Sequence, residues 1–156
     1  MIVPPRLDLA FLPTPLVRVN HNGDSILIKR DDMTGMETSG NKIRKLEYLL
    51  AEAKQQSADI ILTTGGLQSN HARATTAAAA GLGIKVRLYL WGEDTSHATG
   101  NLFINKFLGA EIVYLNYDQF VNAPAIMNAA ARALKAEGKK VYIIPEGGSS
   151  VTGIHG

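Results

Sequence analysis

"DIILTTGGLQSNHARATTAAAAGLGIKVRLYLW", residues 59–91, carries the reading of the fold in a single run. "DIILTT" (59–64) is a short apolar segment bounded by glycine, the pattern of a strand buried on both faces. "SNHARATTAAAAGLG" (69–83) is an alanine-rich helix ended by glycine. "KVRLYLW" (85–91) is strand again, with mixed alternation. Strand, helix and strand at this spacing imply a βαβ unit, in which two parallel strands are joined by a crossover helix.

Downstream the alternation continues. "TGNLFINKFLG" (99–109) reads as a helix with a glycine stop, and "EIVYLN" (111–116) as a strand. "DQFVNAPAIMNAAARALKAEG" (118–138) reads as a helix interrupted near Pro124, because proline cannot donate to the helical ladder. "KVYIIPE" (140–146) is a strand leading into the glycine-rich turn "GGSSVTG". Upstream, "SILIKRDD" (25–32) is a short β run and "MTGMETSGN" (33–41) a turn-rich loop. The first 25 residues are proline-rich and read as an irregular strap. The fold class is therefore α/β, an open parallel twisted sheet with helices on both faces. The last residues form a strand and a turn with no helix after them, so the architecture reads as incomplete.

Bulk composition narrows the function. The 156 residues suit one domain or one and a half, and 46% hydrophobic content supports a packed core. The net charge of +2 and the lack of a basic run with aromatics argue against nucleic acid. Cysteine is absent, so there is neither a disulfide framework nor a thiolate metal site. No histidine–carboxylate pair has helical zinc-site spacing, so no metal is expected. The N-terminus does not read as a signal peptide and no stretch reaches membrane-spanning length. A soluble cytoplasmic protein is expected.

Two stretches carry candidate chemistry. "ETSGNKIRKLEYLL" (37–50) places Lys42, Arg44 and Lys45 at the start of a helix whose apolar residues are 43, 46, 49, 50 and 53. At ~100° per residue, Lys42 lies within ~40° of the apolar centre, Lys45 ~100° away and Arg44 ~160° away. Lys42 is thus expected on the inward side, Arg44 toward water and Lys45 at the border. An inward lysine can serve Schiff-base chemistry where desolvation or a neighbouring cation frees its amine. The same spacing also fits three cations that merely solvate a helix end. The second stretch, "LTTGGLQSNHARAT" (62–75), is strand, glycine turn and helix start, an anion cradle built from free backbone N–H groups. It lacks the G-x-G-x-x-G spacing and the P-loop lysine. A plain helix cap by Ser69 or Asn70 is the alternative.

Together, "KRDDMTGMETSGNKIRKLEYLLAEA" and "TTGGLQSNHARATTAAAAGLGIKV" closely resemble the 1-aminocyclopropane-1-carboxylate deaminase and D-cysteine desulfhydrase family. "GNLFINKFLGAEI" and "YIIPEGGSSVTGIHG" are similar to its later blocks in the same order. The resemblance runs from about Leu12 to Gly156. It implies the tryptophan-synthase-β-like fold and pyridoxal 5′-phosphate as cofactor. By that resemblance Lys42 forms the Schiff base, Asn70 hydrogen-bonds the cofactor's 3′-oxygen, and Gln68, Ser69, Asn70 and His71 hold the substrate carboxylate. Ser69 is given a further catalytic part in the proton and ring-opening steps. The residue after the asparagine is typically Gln in the deaminases and His in the desulfhydrases, so His71 leans toward the second group.

The implied activity is a lyase or deaminase acting on a small amino acid and releasing a 2-oxo acid and ammonia, with sulfide if the substrate is D-cysteine. The alternatives are 1-aminocyclopropane-1-carboxylate deamination and a non-catalytic anion-binding remnant. A homodimer is implied too. Family members are about twice this length, and the phosphate-gripping loop is expected in the other half. Residues 1–50 would then belong to the larger lobe, 51–150 to the smaller one, and 151–156 to the return.

Overall fold

The computed structural model describes residues 4–35 and 37–156. Residues 1–3 of the expected strap and Met36 of the expected loop lie outside the described residues. The chain opens with a hairpin of β1 (Leu16–His21) and β2 (Asp24–Lys29), then α1 (Lys42–Gln55), β3 (Ile60–Gly66) and α2 (Asn70–Gly81). It continues through β4 (Lys85–Trp91), α3 (Gly100–Phe107), β5 (Glu111–Leu115), α4 (Tyr117–Val121), α5 (Ala123–Ala136) and β6 (Val141–Ile143). β3 to β6 form a parallel four-stranded sheet in the order β5-β4-β3-β6.

The side-chain period of two explains how this sheet is covered. Along β3, Ile61 packs with the apolar faces of α1 and α2, whereas Ile60 and Leu62 pack with Met127, Ala131 and Leu134 of α5. Along β4, Val86, Leu88 and Leu90 join the first cluster and Tyr89 the second. β3 is therefore apolar on both faces, as a central parallel strand must be. The helix expected over 118–138 is two helices meeting at Asn122, with Pro124 in the first turn of α5 where its missing N–H costs nothing. The lobe boundary expected after residue 50 falls inside α1, whose Ile43, Leu46, Leu49 and Leu50 are at most 1% exposed in the same core.

Two expectations need correction. The first 25 residues are not irregular throughout, since Leu16–His21 pairs antiparallel with β2 from Leu16↔Lys29 to His21↔Asp24. The turn between them is Asn22-Gly23, with φ of 50° and 90°. An Asn-Gly pair between alternating apolar residues is a hairpin signal, because both central residues of the favoured turn need positive φ. Arg44, expected to face water, is held by Asp31 through two hydrogen bonds of 2.7 and 2.8 Å. The helical wheel placed it opposite the core correctly. The segment around Thr14 and Asp31 covers that side of α1, and Thr14 Oγ1 also donates to Asp31. The same helix anchors the strap at a second point. The buried Glu47 carboxylate accepts from the N–H groups of Leu9 and Ala10, both at 3.0 Å.

Candidate functional site

The strand order reverses between β3 and β6, and in open parallel sheets ligands bind beyond the carboxyl ends of the strands at such a point. Three segments meet there: the start of α1, the start of α2 after the Gly65-Gly66 turn, and the turn at Gly147-Gly148 after β6.

The start of α2 is locally determined. Ser69 is extended and its Oγ accepts from the Ala72 N–H at 3.2 Å, the N-cap arrangement. A Cβ at Gly65 would sit 2.7 Å from that Oγ, so only glycine lets the strand end this close to the cap. The amides of Asn70 and His71 head the helix and have no acceptor within it. Gln68 and Asn70 are exposed. The Gln68 side chain is bound to the start of α3, donating to the Thr99 carbonyl at 3.0 Å and accepting from the Asn101 N–H at 2.8 Å. Asn101 Nδ2 donates in turn to Asn70 Oδ1 at 3.0 Å.

His71 is 3% exposed and lies beneath this corner. Its Nε2 shares a hydrogen bond of 3.0 Å with Thr63 Oγ1 of β3. Burial, and then the positive charges of Lys42 and Lys45, push its pKa down to about 4. His71 is therefore neutral at physiological pH.

Lys42 is the first residue of α1, and its Nζ donates to Asn41 Oδ1 at 3.2 Å. It is half-buried, as are Arg44 and Lys45. Lys45 reaches toward the second glycine turn, its Nζ 3.4 Å from the Gly147 carbonyl. Among the described residues neither Lys42 nor Lys45 has a carboxylate within ion-pair distance, whereas Arg44 is matched by Asp31. A cleft of about 560 Å³ opens beside Lys45, lined by Ser149, Ser150, Val151, Ile154 and Gly156. A second cleft of about 470 Å³ lies against α4 and α5, walled by apolar groups such as Phe120 and Met127.

Cations at a helix N-terminus oppose the helix dipole by ~0.3–1 kcal/mol each. Burying each of Ile43, Leu46, Leu49 and Leu50 contributes ~1.5–3 kcal/mol. The apolar face therefore decides that α1 forms here, and the fold tolerates two unmatched amines at its positive end.

The family model described as pyridoxal-phosphate dependent enzyme matches residues 7–156. The chain belongs to this family. It is 43% identical over 160 residues to the bifunctional D-cysteine desulfhydrase/1-aminocyclopropane-1-carboxylate deaminase, mitochondrial, of Arabidopsis thaliana, covering 96% of this chain and 40% of the relative. It is 45% identical over 156 residues to a putative 1-aminocyclopropane-1-carboxylate deaminase of Thermotoga maritima, covering 97% and 49%. The crystal structure of an ACC deaminase homologue matches with a TM-score of 0.88 at 38% identity, over 96% of this chain and 47% of that one. The chain thus spans about half the length of its curated relatives, or less.

The corner suits the family's cofactor on chemical grounds. An aldehyde needs a primary amine, and Lys42 offers one without a carboxylate partner among the described residues. An amino-acid carboxylate needs N–H donors, and the first turn of α2 presents them. Among the described residues no group of three or more His, Asp or Glu could hold a metal ion, and no helix is long and apolar enough to cross a membrane. The buried neutral state of His71, its partner Thr63 and the part played by Asn101 were not read from the sequence. Thr63 and His71 are eight residues apart on different elements, and only the strand-to-helix turn brings them together.

Proposed function

We propose that this chain carries the amine and carboxylate sides of the active site of a lyase or deaminase acting on a small amino acid, with D-cysteine desulfhydration as the favoured reaction. The observation that carries the reading is Lys42 at the first turn of α1, its amine without a carboxylate partner among the described residues, on a turn that Arg73 of α2 holds through the Ser39 carbonyl. Lys42 would hold pyridoxal 5′-phosphate through its amine, exchange that bond for the substrate amine, and then serve as base for the α-proton. The bound cofactor supplies an electron sink for charge developing at the substrate's α-carbon. Asn70 would orient the ring by a hydrogen bond to the 3′-oxygen, its amide steadied by Asn101.

The first-turn N–H groups of α2 and the Ser69 hydroxyl would bind the substrate carboxylate, and Ser69 would handle a proton at the substrate. Gln68 would act mainly through its backbone, since its side chain braces α3. His71 would support this cradle from below as a neutral ring. The names of the relatives favour a second reading, 1-aminocyclopropane-1-carboxylate deamination, on the same residues. We assign the phosphate-gripping loop to further chain of the full-length protein, which would be a cytoplasmic homodimer. In this assignment the hairpin and residues 151–156 join the larger lobe, and the smaller one takes in α1, whose apolar face shares the core of the sheet. The exposed apolar residues of the hairpin, Leu16, Ile26 and Leu27, support its burial against further protein.

The test is borohydride reduction of the cofactor-loaded full-length protein followed by peptide mapping, with sulfide and 2-oxo acid release measured on D-cysteine and on the cyclopropane substrate. Label on Lys42 and turnover lost in Lys42→Ala are expected. Label on another lysine, or none, ends this reading.

A further inference from the structure

Two successive carbonyls just before Lys42 are each captured by a side chain from elsewhere in the fold. Arg73 of α2 donates from Nη2 to the Ser39 carbonyl at 2.6 Å and from Nη1 to Ser39 Oγ at 3.4 Å. Thr34, fully buried, donates from Oγ1 to the Gly40 carbonyl at 2.9 Å. Gly40 has φ of 98° with open space around its missing Cβ, so the backbone conformation, and not crowding, requires glycine there. Asn41 makes no capping hydrogen bond from its side chain to the helix. The entry of α1 is therefore oriented by peptide planes that Arg73 and Thr34 hold, with no cap of its own.

Arg73 follows Asn70 by three residues, which places both on one face of α2. Its hydrogen bonds thus bring the turn bearing Lys42 onto the face bearing Asn70. The arrangement is not the cheapest available for stability, because Arg73 Nε is buried without a partner among the described residues. A charge-assisted bond to a carbonyl offsets part of the cost of burying a guanidinium, and its two-pronged geometry fixes direction as well as distance.

We propose that Arg73 is a positioning residue. It locks the Ser39–Lys42 turn over the Asn70 face of α2 and so sets the line along which the Lys42 amine meets an aldehyde. Its guanidinium is engaged by the Ser39 carbonyl and hydroxyl, so its part is to place Lys42 and not to react. The proposal rests on the assignment of Lys42 in the preceding subsection.

The experiment compares full-length wild-type protein with Arg73→Ala and Arg73→Lys. Three quantities are read: amide exchange across residues 37–43, acylation of Lys42 by a small acid anhydride in the cofactor-free protein, and capture of pyridoxal 5′-phosphate at Lys42 by borohydride. In Arg73→Ala, loss of the charge-assisted bond is expected to speed both exchange at 37–43 and Lys42 acylation about tenfold, with β3 and β4 amides unchanged. Cofactor capture should slow by a similar factor and recover in part with added guanidinium ion. Arg73→Lys should fall between, because lysine supplies one donor without the fork, and it remains informative should the alanine variant fold poorly. Unchanged exchange and unchanged Lys42 reactivity in both variants overturn the proposal. A wild-type protein that captures no cofactor at Lys42 overturns the functional reading instead, and the exchange and acylation data still decide the clamp.

Discussion

The starts of α1 and α2 face the same corner and are built on opposite terms. α2 begins with Ser69 as cap, a glycine beneath it, and buried Ala72 and Ala74 close behind. Its stability is local and its leading amides stay free for an anion. α1 begins without a side-chain cap, with no acidic residue in its first turn and with three cations. Its stability comes from the apolar face further along and from clamps reaching it from Asp31, Thr34 and Arg73. One helix start is made by its own sequence, the other is imposed on an unfavourable sequence by tertiary structure. Under the proposed function, local rules are broken where an amine is needed at a positive helix end, as expected of a site that departs from purely stabilising choices.

Substitutions can break or sharpen this contrast. The largest effect is expected from Leu46→Ala. It removes a fully buried side chain that holds α1 down and should cost about 3 kcal/mol in chemical denaturation. A loss below about 1 kcal/mol would mean that α1 is held by its clamps and not by its core face.

The next effect is in pH. His71 is neutral in the fold with a pKa near 4, while in the unfolded chain it titrates near 6.5. The unfolded state therefore binds the proton first as pH falls. Stability is complete above about 6.5 and declines toward 4, by roughly 3 kcal/mol in all. His71→Gln should flatten that part of a denaturation-versus-pH profile, and an unaltered slope would show the imidazole to be protonated in the fold.

Ser69→Ala should cost about 1 kcal/mol by loss of the cap. Amide exchange in the first turn of α2 should rise while that of α1 stays constant. The smallest effect has the opposite sign. Lys42→Gln relieves one cation at the positive end of α1 and should raise stability by about 0.3–1 kcal/mol. A clear loss on thermal melting would show Lys42 to be structural, and the contrast between the two helix starts would fall with it.

Much of the scaffold was legible because its signals are local. The run 59–91 shows strand, helix and strand through apolar runs, alanine and glycine stops, and these elements lie within two residues of the expected spans. The interruption near Pro124 was readable because proline cannot occupy a helix interior. The hairpin signal Asn22-Gly23 was present but hidden by the prolines before it. At the site, Lys42 and residues 68–71 could be singled out from their types and spacing. The fate of their side chains could not. Arg44 found Asp31 because the strap crosses its side of α1, and Gln68 found Asn101 because α3 starts beside it, 33 residues away.

The sequence alone determined the strands and helices from residue 59 onward save for the break at Asn122, that those strands run parallel, and which residues could supply an amine and an anion cradle. These follow from periodicity, propensity and turn chemistry, all of which act within a few residues. Only the tertiary structure decided that the Ser39–Lys42 turn is clamped to α2, that His71 is buried and neutral, and that Arg44 is spent on an ion pair. Those outcomes depend on desolvation and on partners far along the chain, quantities that exist only once the chain has folded.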